Sequence, residues 1–456
     1  MPKYYIQTYG CQMNYSDSER METYLQALGY KKVEAMEDAD LILFNTCSIK
    51  QKAEDKVLGQ IKKLRAIKKN NPDLKVVIAG CMVRKSSSRY SETRDRLLTR
   101  VRELDIALRT EELPKLAELI REIDPNSTIE AIEEESLEDY FKIEASNSTY
   151  KSKTQAFLPV SNGCDKFCTY CIVPFSRGRE KSRSLEEILR DAEELVEKGI
   201  KEITLIGQTV NSYGLGIHDQ EQEIFKHLGE KEPFVHLLEE LDKLKEKGLK
   251  RVRWTSPHPK DMSDQLIDAM ASLETQMPYL HLPVQAGHDD TLKRMNRPYT
   301  VEQYRSVIKK LREKIPEISI TTDIIVGFCD ETDEEFETTY KFFEEMDFEH
   351  GYISRYSDRK GTTANRFMND NISAKVKSER WHKVNDLLKK KSQKILEKFL
   401  GKNVNVLVEE QEGELCTGRC ENYKTVQFKS GRDLLGEIVP VKINDAKDWV
   451  LIGELV

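Results

Sequence analysis

Over the first 120 residues, apolar runs of strand length alternate with amphipathic stretches of helical period. KYYIQTYG (3–10), DLILFNTC (40–47) and KVVIAGC (75–81) predict strands, with helices between them from Ser16 to about Leu28 and from about Ala53 to Lys69. Runs apolar on both faces that alternate with helices predict an open parallel α/β sheet over 1–120. The stretch 121–153 is acidic and polar and is expected to be a connector. A second series begins with AFLPVSNG (156–163) and continues through EITLIGQ, RVRWTS, YLHLPVQ, SITTDIIVGF and HGYISRYS, each followed or preceded by a helical pattern. Six such β units over 154–373 predict an incomplete TIM-like barrel. A lysine-rich helix is expected over 374–400. The end, 401–456, changes to short β-rich runs (NVNVLVEE, TVQFK, EIVPVKIND, WVLIGELV) between glycines and charged turns, which predicts a small antiparallel barrel.

Composition narrows the class. With 33% charged residues and mean hydropathy of −0.61, and with no long uninterrupted apolar run, no membrane role is expected. The opening MPKYYIQTYG lacks the layout of a secretory signal, so a cytoplasmic location is expected. The net charge of −7 does not advertise nucleic acid, yet 72 Lys and Arg allow locally basic surfaces. Basic stretches at 61–69 and 387–398 read first as solvated helix faces.

Cysteine placement carries the chemistry. Nine cysteines, an odd count, argue against a disulfide framework and for reduced thiols, some of them metal ligands. Cys11, Cys47 and Cys81 each end a predicted strand of the first sheet, where the carboxyl ends of parallel strands face a ligand crevice. One such cysteine alone reads as a small buried hydrophobe. Three in equivalent places read as a site. Cys164, Cys168 and Cys171 form CxxxCxxC in the loop after the first strand of the second series. Three soft thiolates on one loop suit an iron-sulfur cluster with one iron left open. Structural zinc is the rival, but it needs four ligands, and the next histidine downstream is His218. Cys416 and Cys420 are too few for a metal site and are expected to be structural, and Cys329 belongs to no cluster pattern.

The CxxxCxxC loop, with Phe167 and Tyr170 beside its cysteines, resembles the signature of radical S-adenosylmethionine enzymes. TYGCQMNYSDSERM, NTCSIKQKAEDK and IAGCM resemble the three cysteine motifs of the methylthiotransferases within that superfamily. GQTVNSYG, WTSPHP, LPVQAG, RMNRPYT and DIIVGF follow in family order, and the last segment resembles the TRAM module. CQMN, NTCS and AEDK are most like the branch acting on N6-isopentenyladenosine at C2, beside the tRNA anticodon. The resemblance implies two 4Fe-4S clusters, one for radical generation on Cys164, Cys168 and Cys171 and an auxiliary one on Cys11, Cys47 and Cys81. It implies S-adenosylmethionine as cofactor, reductive cleavage of it to a 5′-deoxyadenosyl radical, and no catalytic side chain beyond the cluster ligands.

Cofactor contacts are expected from Tyr170 against the adenine and from Gln208, Asn211, Ser256, Gln285 and Arg297 at strand ends, each of which also suits ordinary loop capping. RNA contacts are expected from Arg419, Tyr423, Lys424 and Phe428, although Tyr423 and Phe428 singly read as core residues. The implied partners are the tRNA anticodon stem-loop, an electron donor such as a flavodoxin or ferredoxin, and iron-sulfur assembly or carrier proteins. A monomer is expected. Two departures from the family stand out: GFCDET, with Cys329 and Asp330, where many relatives read GFPGET, and VQAGH, with Ala286 and His288, where VQSGS is common. The alternative substrates are threonylcarbamoyladenosine in tRNA or a ribosomal-protein side chain. A reading of another class, a non-catalytic metal-containing RNA-binding protein, leaves both cysteine sets unexplained.

Overall fold

The computed structural model describes residues 1–47, 51–125, 152–216, 219, 225, 228–447 and 449–456. Most of the connector expected over 121–153, along with His218, therefore lies outside the described residues. The chain divides into two compact units: Met1–Tyr150 with Asn162–Cys164 and Cys171–Arg179, and Lys151–Ser161 with Asp165–Tyr170 and Glu180–Val456.

In the first unit, β1 (Lys3–Tyr9), β2 (Lys31–Lys32), β3 (Leu41–Thr46), β4 (Lys75–Gly80), β5 (Ser87–Ser88) and β6 (Ile106–Leu108) form one sheet in the order β2-β1-β3-β4-β6-β5. Its pairings are parallel except for β5 with β6. The central strands are apolar on both faces because both faces are covered. Leu41, Leu43, Val77 and Ala79 pack with Met21 and Leu25 of α1 (Gln12–Ala27). Ile42, Phe44, Val76 and Ile78 pack with Val57, Ile61 and Leu64 of α2 (Gln51–Asn70) on the other face. Each of these side chains larger than alanine, buried from water, contributes about 1.5–3 kcal/mol. Helix α1 begins at Gln12, four residues before the sequence pattern places it, and helix Leu116–Ile123 runs past residue 120.

In the second unit, β7 (Gln155–Pro159), β10 (Glu202–Ile206) and β11 (Arg251–Trp254) form one parallel ladder, and β12 (Tyr279–His281), β13 (Ser319–Val326) and β14 (His350–Arg355) form another. Between β7 and β10 in sequence lie two short strands, β8 (Ser161–Asn162) and β9 (Lys181–Ser182). A single bridge from Val252 to Gln276 joins the first ladder to the residues ahead of the second. The six expected β units are thus present, as two ladders of a partial barrel. Strands β15 (Asn403–Glu412), β16 (Leu415–Arg419), β17 (Thr425–Lys429), β18 (Ile438–Lys447) and β19 (Val450–Leu455) close a separate barrel in the order β15-β16-β17-β19-β18. Strand β16 was not marked by an apolar run. The basic stretches are ion-paired helix faces: Lys68 meets Asp105, and Lys391 meets Asp347. Among the described residues, no helix is long and apolar enough to cross a membrane.

The small barrel docks on the amino-terminal ends of the partial barrel's strands through buried charge. Glu202 Oε2, at the start of β10, accepts from Arg253 Nε at 2.9 Å and lies 3.8 Å from Arg251 Nη1. The terminal guanidinium nitrogens of both arginines reach carbonyls of the small barrel: Arg251 those of Arg419 and Asn405, each at 2.8 Å, and Arg253 those of Glu421 at 3.0 Å and Cys420 at 3.1 Å.

This seam corrects the expected RNA contacts. Tyr423, in the left-handed region at φ +63°, has its ring 4.8 Å from the Arg253 guanidinium, 4.7 Å from that of Arg419 and 4.8 Å from the Tyr279 ring. Arg419 also bonds Glu409 at 2.9 Å, and Lys424 is ion-paired with Glu349. Phe428 lies inside the small barrel with Val406, Val426 and Ile443, only 2% exposed, so no base can stack on it. Cys416 and Cys420 belong to the same core, which fits the structural role expected for them. Phe428→Ala is therefore expected to lower stability by about 3–5 kcal/mol in denaturant unfolding.

Candidate functional site

Strand register builds the first thiol set. Tyr9 of β1 pairs with Thr46 of β3, and Thr46 pairs with Gly80 of β4, so the three strands end level. Cys47 and Cys81 are the next residues along, and Cys47 N bonds Tyr9 O at 2.7 Å while Cys81 N bonds Thr46 O at 2.9 Å. Gly80, at φ +95°, is required there, because a Cβ would run into the Thr46 carbonyl oxygen. Cys11 sits at the start of α1. Its N–H donates to Asn14 Oδ1 at 3.3 Å and its thiol to the same oxygen at 3.4 Å. Asn14 and Asn45 bond one another, Asn45 Nδ2 also donates to Ser18 Oγ at 2.9 Å, and Ser18 meets Thr8 at 2.7 Å. This buried network explains the asparagine of CQMN, the serine two residues after YS, and the asparagine of FNTC. It also explains the early helix start.

The Cys47 thiol lies within hydrogen-bonding reach of both Cys11 and Cys81. Its bond, with Arg177 assisting, holds Cys11 down at about 7 and Cys81 at about 5, whereas Cys47 itself is pushed up. Arg177 Nε donates to Cys81 Sγ at 3.4 Å. Three soft donors converging at one sheet end, two biased to thiolate and one backed by a guanidinium, are a donor set that fits an iron-sulfur cluster.

The CxxxCxxC loop is braced residue by residue. Cys164 N donates to Gly178 O at 3.2 Å, and Cys171 Sγ accepts from Val173 N at 3.5 Å. Asn296 Nδ2 holds the carbonyls of Lys166 and Phe167 at 3.3 and 3.0 Å. Thr169 bonds Met295 O through its N–H and Arg294 O through its hydroxyl. RMNRPYT is thus the clamp for this loop. Arg297 Nη1 donates to Cys168 Sγ at 3.5 Å, Nη2 to Pro283 O at 2.7 Å and Nε to Tyr299 Oη at 2.8 Å. The expected cofactor contact is therefore engaged with a cysteine of the loop.

The other expected cofactor residues divide. Tyr170 is half-buried, edge-on to Phe328 at 6.4 Å. Gln208 keeps a buried Oε1 without a hydrogen-bond partner. Asn211 is a correction: its amide donates to the carbonyls of His258 and Asp261, each at 3.0 Å, and accepts from His258 N at 2.7 Å, which fixes a loop and leaves it little capacity for a cofactor. Ser256 and Gln285 adopt left-handed backbone at φ +56° and +72°, a conformation costly for non-glycine residues and typical of functional sites. Of the two sequence departures, Asp330 takes φ +59°, where glycine is unstrained, and Asn371 braces it with bonds of 3.0 and 2.6 Å. Cys329 and Ala286 are buried, and His288 caps a helix through Asp290 N at 3.2 Å.

Several site residues were not found from the sequence. Glu180 is buried, its Oε2 accepting from Thr209 Oγ1 at 3.0 Å and its Oε1 unpartnered, and burial pushes its carboxyl up to about 8. His258 has an unpartnered buried Nε2, and burial with Arg297 nearby holds the ring neutral. At the small-barrel seam, the His350 ring lies 4.6 Å from that of Tyr352 and 4.9 Å from that of Trp449. Tyr352 and Trp449 are 56% and 47% exposed. Aromatic letters in HGYISRYS and WVLIGELV were the available signal.

Residues 158–343 match the Radical SAM superfamily, 3–99 the Uncharacterized protein family UPF0004 and 397–456 the TRAM domain. The chain is 40% identical over 461 residues to the tRNA-2-methylthio-N(6)-dimethylallyladenosine synthases of Bacillus licheniformis and of Bacillus subtilis, with 100% of this chain and 86% of each relative covered. The synthase of that name from Geobacillus thermodenitrificans is 38% identical over 456 residues, covering 99% of this chain and 83% of its own. Among solved structures, the radical S-adenosylmethionine methyltransferase TsrM from Kitasatospora setae, with cobalamin and a [4Fe-4S] cluster bound, superposes with a TM-score of 0.56 at 14% identity, over 80% of this chain and 77% of that one. That is a likeness of fold. From identity sustained over the whole length, with all three segments matched in order, the chain belongs to the radical SAM methylthiotransferases, in the branch of the tRNA-2-methylthio-N(6)-dimethylallyladenosine synthases.

Proposed function

We infer that this chain is a tRNA methylthiotransferase that converts N6-isopentenyladenosine beside the anticodon to its 2-methylthio derivative, using S-adenosylmethionine and 4Fe-4S clusters. The observation that carries the reading is the register-built triad of Cys11, Cys47 and Cys81 on the same chain as the CxxxCxxC loop. Cys11, Cys47 and Cys81 would hold the auxiliary cluster, and Cys164, Cys168 and Cys171 the radical-generating one. When bound, the latter supplies the electron for cleaving S-adenosylmethionine, and the former supplies sulfur. The carbon-hydrogen bond at C2 is aromatic and has no acidic proton, so polar acid-base chemistry has little purchase on it.

The chain's own residues bind, orient and exclude water. Gln208, Glu180 and His258 offer buried unpartnered polar atoms to a cofactor that brings an ammonium, a carboxylate and hydroxyls. Tyr170 would lie against its adenine. Arg297 and Asn296 keep the loop in place. For RNA, Tyr352 and Trp449 present half-exposed rings to unstacked bases, the role expected earlier of Tyr423 and Phe428. The enzyme works in the cytoplasm as a monomer. It receives electrons from a small carrier such as a flavodoxin or ferredoxin, and its clusters come from iron-sulfur assembly proteins.

Two outcomes are expected. C2 lies on the base edge, so the adenine must leave the loop stack, and burying most of its isopentenyl group is worth roughly 2–3 kcal/mol. In competition between tRNAs carrying isopentenyladenosine, threonylcarbamoyladenosine or plain adenosine, scored by methylthio product, the isopentenyl form should exceed plain adenosine by some tens-fold to about a hundred-fold. Equal turnover of plain adenosine, or preference for the threonylcarbamoyl form, refutes the substrate. Second, Trp449→Ala and Tyr352→Ala should each weaken tRNA binding by about 5- to 100-fold, with Trp449→Phe close to the parent and deoxyadenosine formation without tRNA unchanged. Unaltered tRNA affinity in both alanine variants removes the stacking role.

A further inference from the structure

The segment Cys171–Arg179 belongs to the first compact unit, and it brings a side chain that follows the CxxxCxxC loop in sequence to the end of the first sheet. That side chain is Arg177. The residue is 4% exposed, and each guanidinium nitrogen is directed to an acceptor. Nε donates to Cys81 Sγ at 3.4 Å, Nη2 to Asp17 Oδ2 at 2.5 Å, and Nη1 to Asn162 Oδ1 at 3.1 Å. Asp17, on α1, is fully buried.

A role confined to stability explains this poorly. A buried ion pair commonly contributes no more than apolar residues of the same volume. It also has no need of a donor aimed at sulfur. The fork instead fixes a full positive charge on one thiol of the triad, in surroundings where water cannot screen it. Hydrogen bonds to ligand sulfur and local charge are the levers by which a protein sets cluster potentials. A cation beside the ligand favours the more negative, reduced state. Asp17 is the opposing charge, and it also orients the fork.

We propose that Arg177, held by Asp17 and Asn162, is the positioning residue that sets the reduction potential of the cluster on Cys11, Cys47 and Cys81. The proposal rests on the assignment of those three cysteines as cluster ligands. It gives Arg177 a task distinct from that of Arg297, whose donor is directed at Cys168.

The test uses the full-length chain with Cys164→Ala, Cys168→Ala and Cys171→Ala, so that one cluster alone is loaded. Its potential is read by anaerobic titration followed by electron paramagnetic resonance. Arg177→Met should make reduction about tenfold less favourable, about 59 mV more negative for a one-electron couple. Arg177→Lys should restore part of the shift. Asp17→Asn should move the potential the other way. Because Arg177→Met leaves Asp17 buried without its partner, the neutral double variant Arg177→Met with Asp17→Asn provides a second reading, still more negative than the parent. Variants that hold about four irons but titrate at the parent potential overturn the proposal, as do Arg177 and Asp17 variants that shift in the same direction. Absence of iron from the triple-alanine parent overturns the cluster assignment itself, which is a different failure from an unmoved potential.

Discussion

The site depends on one constraint: three parallel strands must end at the same level. The pairing of Tyr9 with Thr46 and of Thr46 with Gly80 brings Cys47 and Cys81 off adjacent strand ends, with Cys11 two residues beyond β1. That closeness is unfavourable on its own, since thiolates repel and burial penalises each. The fold meets it with the Cys47 thiol, pushed up by its bonds to Cys11 and Cys81, a guanidinium at Cys81, and an amide network under Cys11. A cation-rich cluster is the ligand such an arrangement suits. A one-residue slip in either pairing would carry a cysteine away from its neighbours, and Gly80 keeps β4 close enough to β3 for the register to hold.

A second constraint acts at the opposite ends of the second unit's strands. Glu202, Arg251 and Arg253 are buried charges, and their donors are completed by carbonyls of the small barrel. Removing one partner of such a group leaves charge uncompensated and costs about 3–5 kcal/mol. The small barrel is therefore part of the structure of the partial barrel. A chain cut near Leu400 would lose stability along with any RNA contacts, which makes single ring substitutions the cleaner probe of the RNA surface.

Much of this was legible in the sequence where one chemical signal dominates. Strands such as LILFNT and KVVIAG are apolar on both faces, and cysteines at their ends mark the crevice. The six β units and the three-cysteine spacing are equally plain. What stayed hidden is set by pairing over distance. Strands β2, β5 and β6 have only two or three residues each and no pattern of their own. Arg177 is one of many arginines until residues 162 and 177 meet Asp17 and Cys81. Phe428, Tyr423 and Lys424 look like an RNA surface because basic and aromatic letters interleave, yet the ring of Phe428 points into a core and the others fasten two barrels together. Asn211 shows the same limit, since an amide that caps a loop reads no differently from one that meets a cofactor.

The central claim is that the sheet-end triad holds a cluster of its own, in addition to that of the CxxxCxxC loop. Iron and acid-labile sulfide per chain, measured on anaerobically prepared protein with and without Cys11→Ala, Cys47→Ala and Cys81→Ala, test it most directly. The account predicts about eight irons in the parent and about four in the variant, with S-adenosylmethionine cleavage still detectable in the latter. A variant that keeps all of its iron, or a parent that holds tightly bound zinc in place of iron, would contradict it.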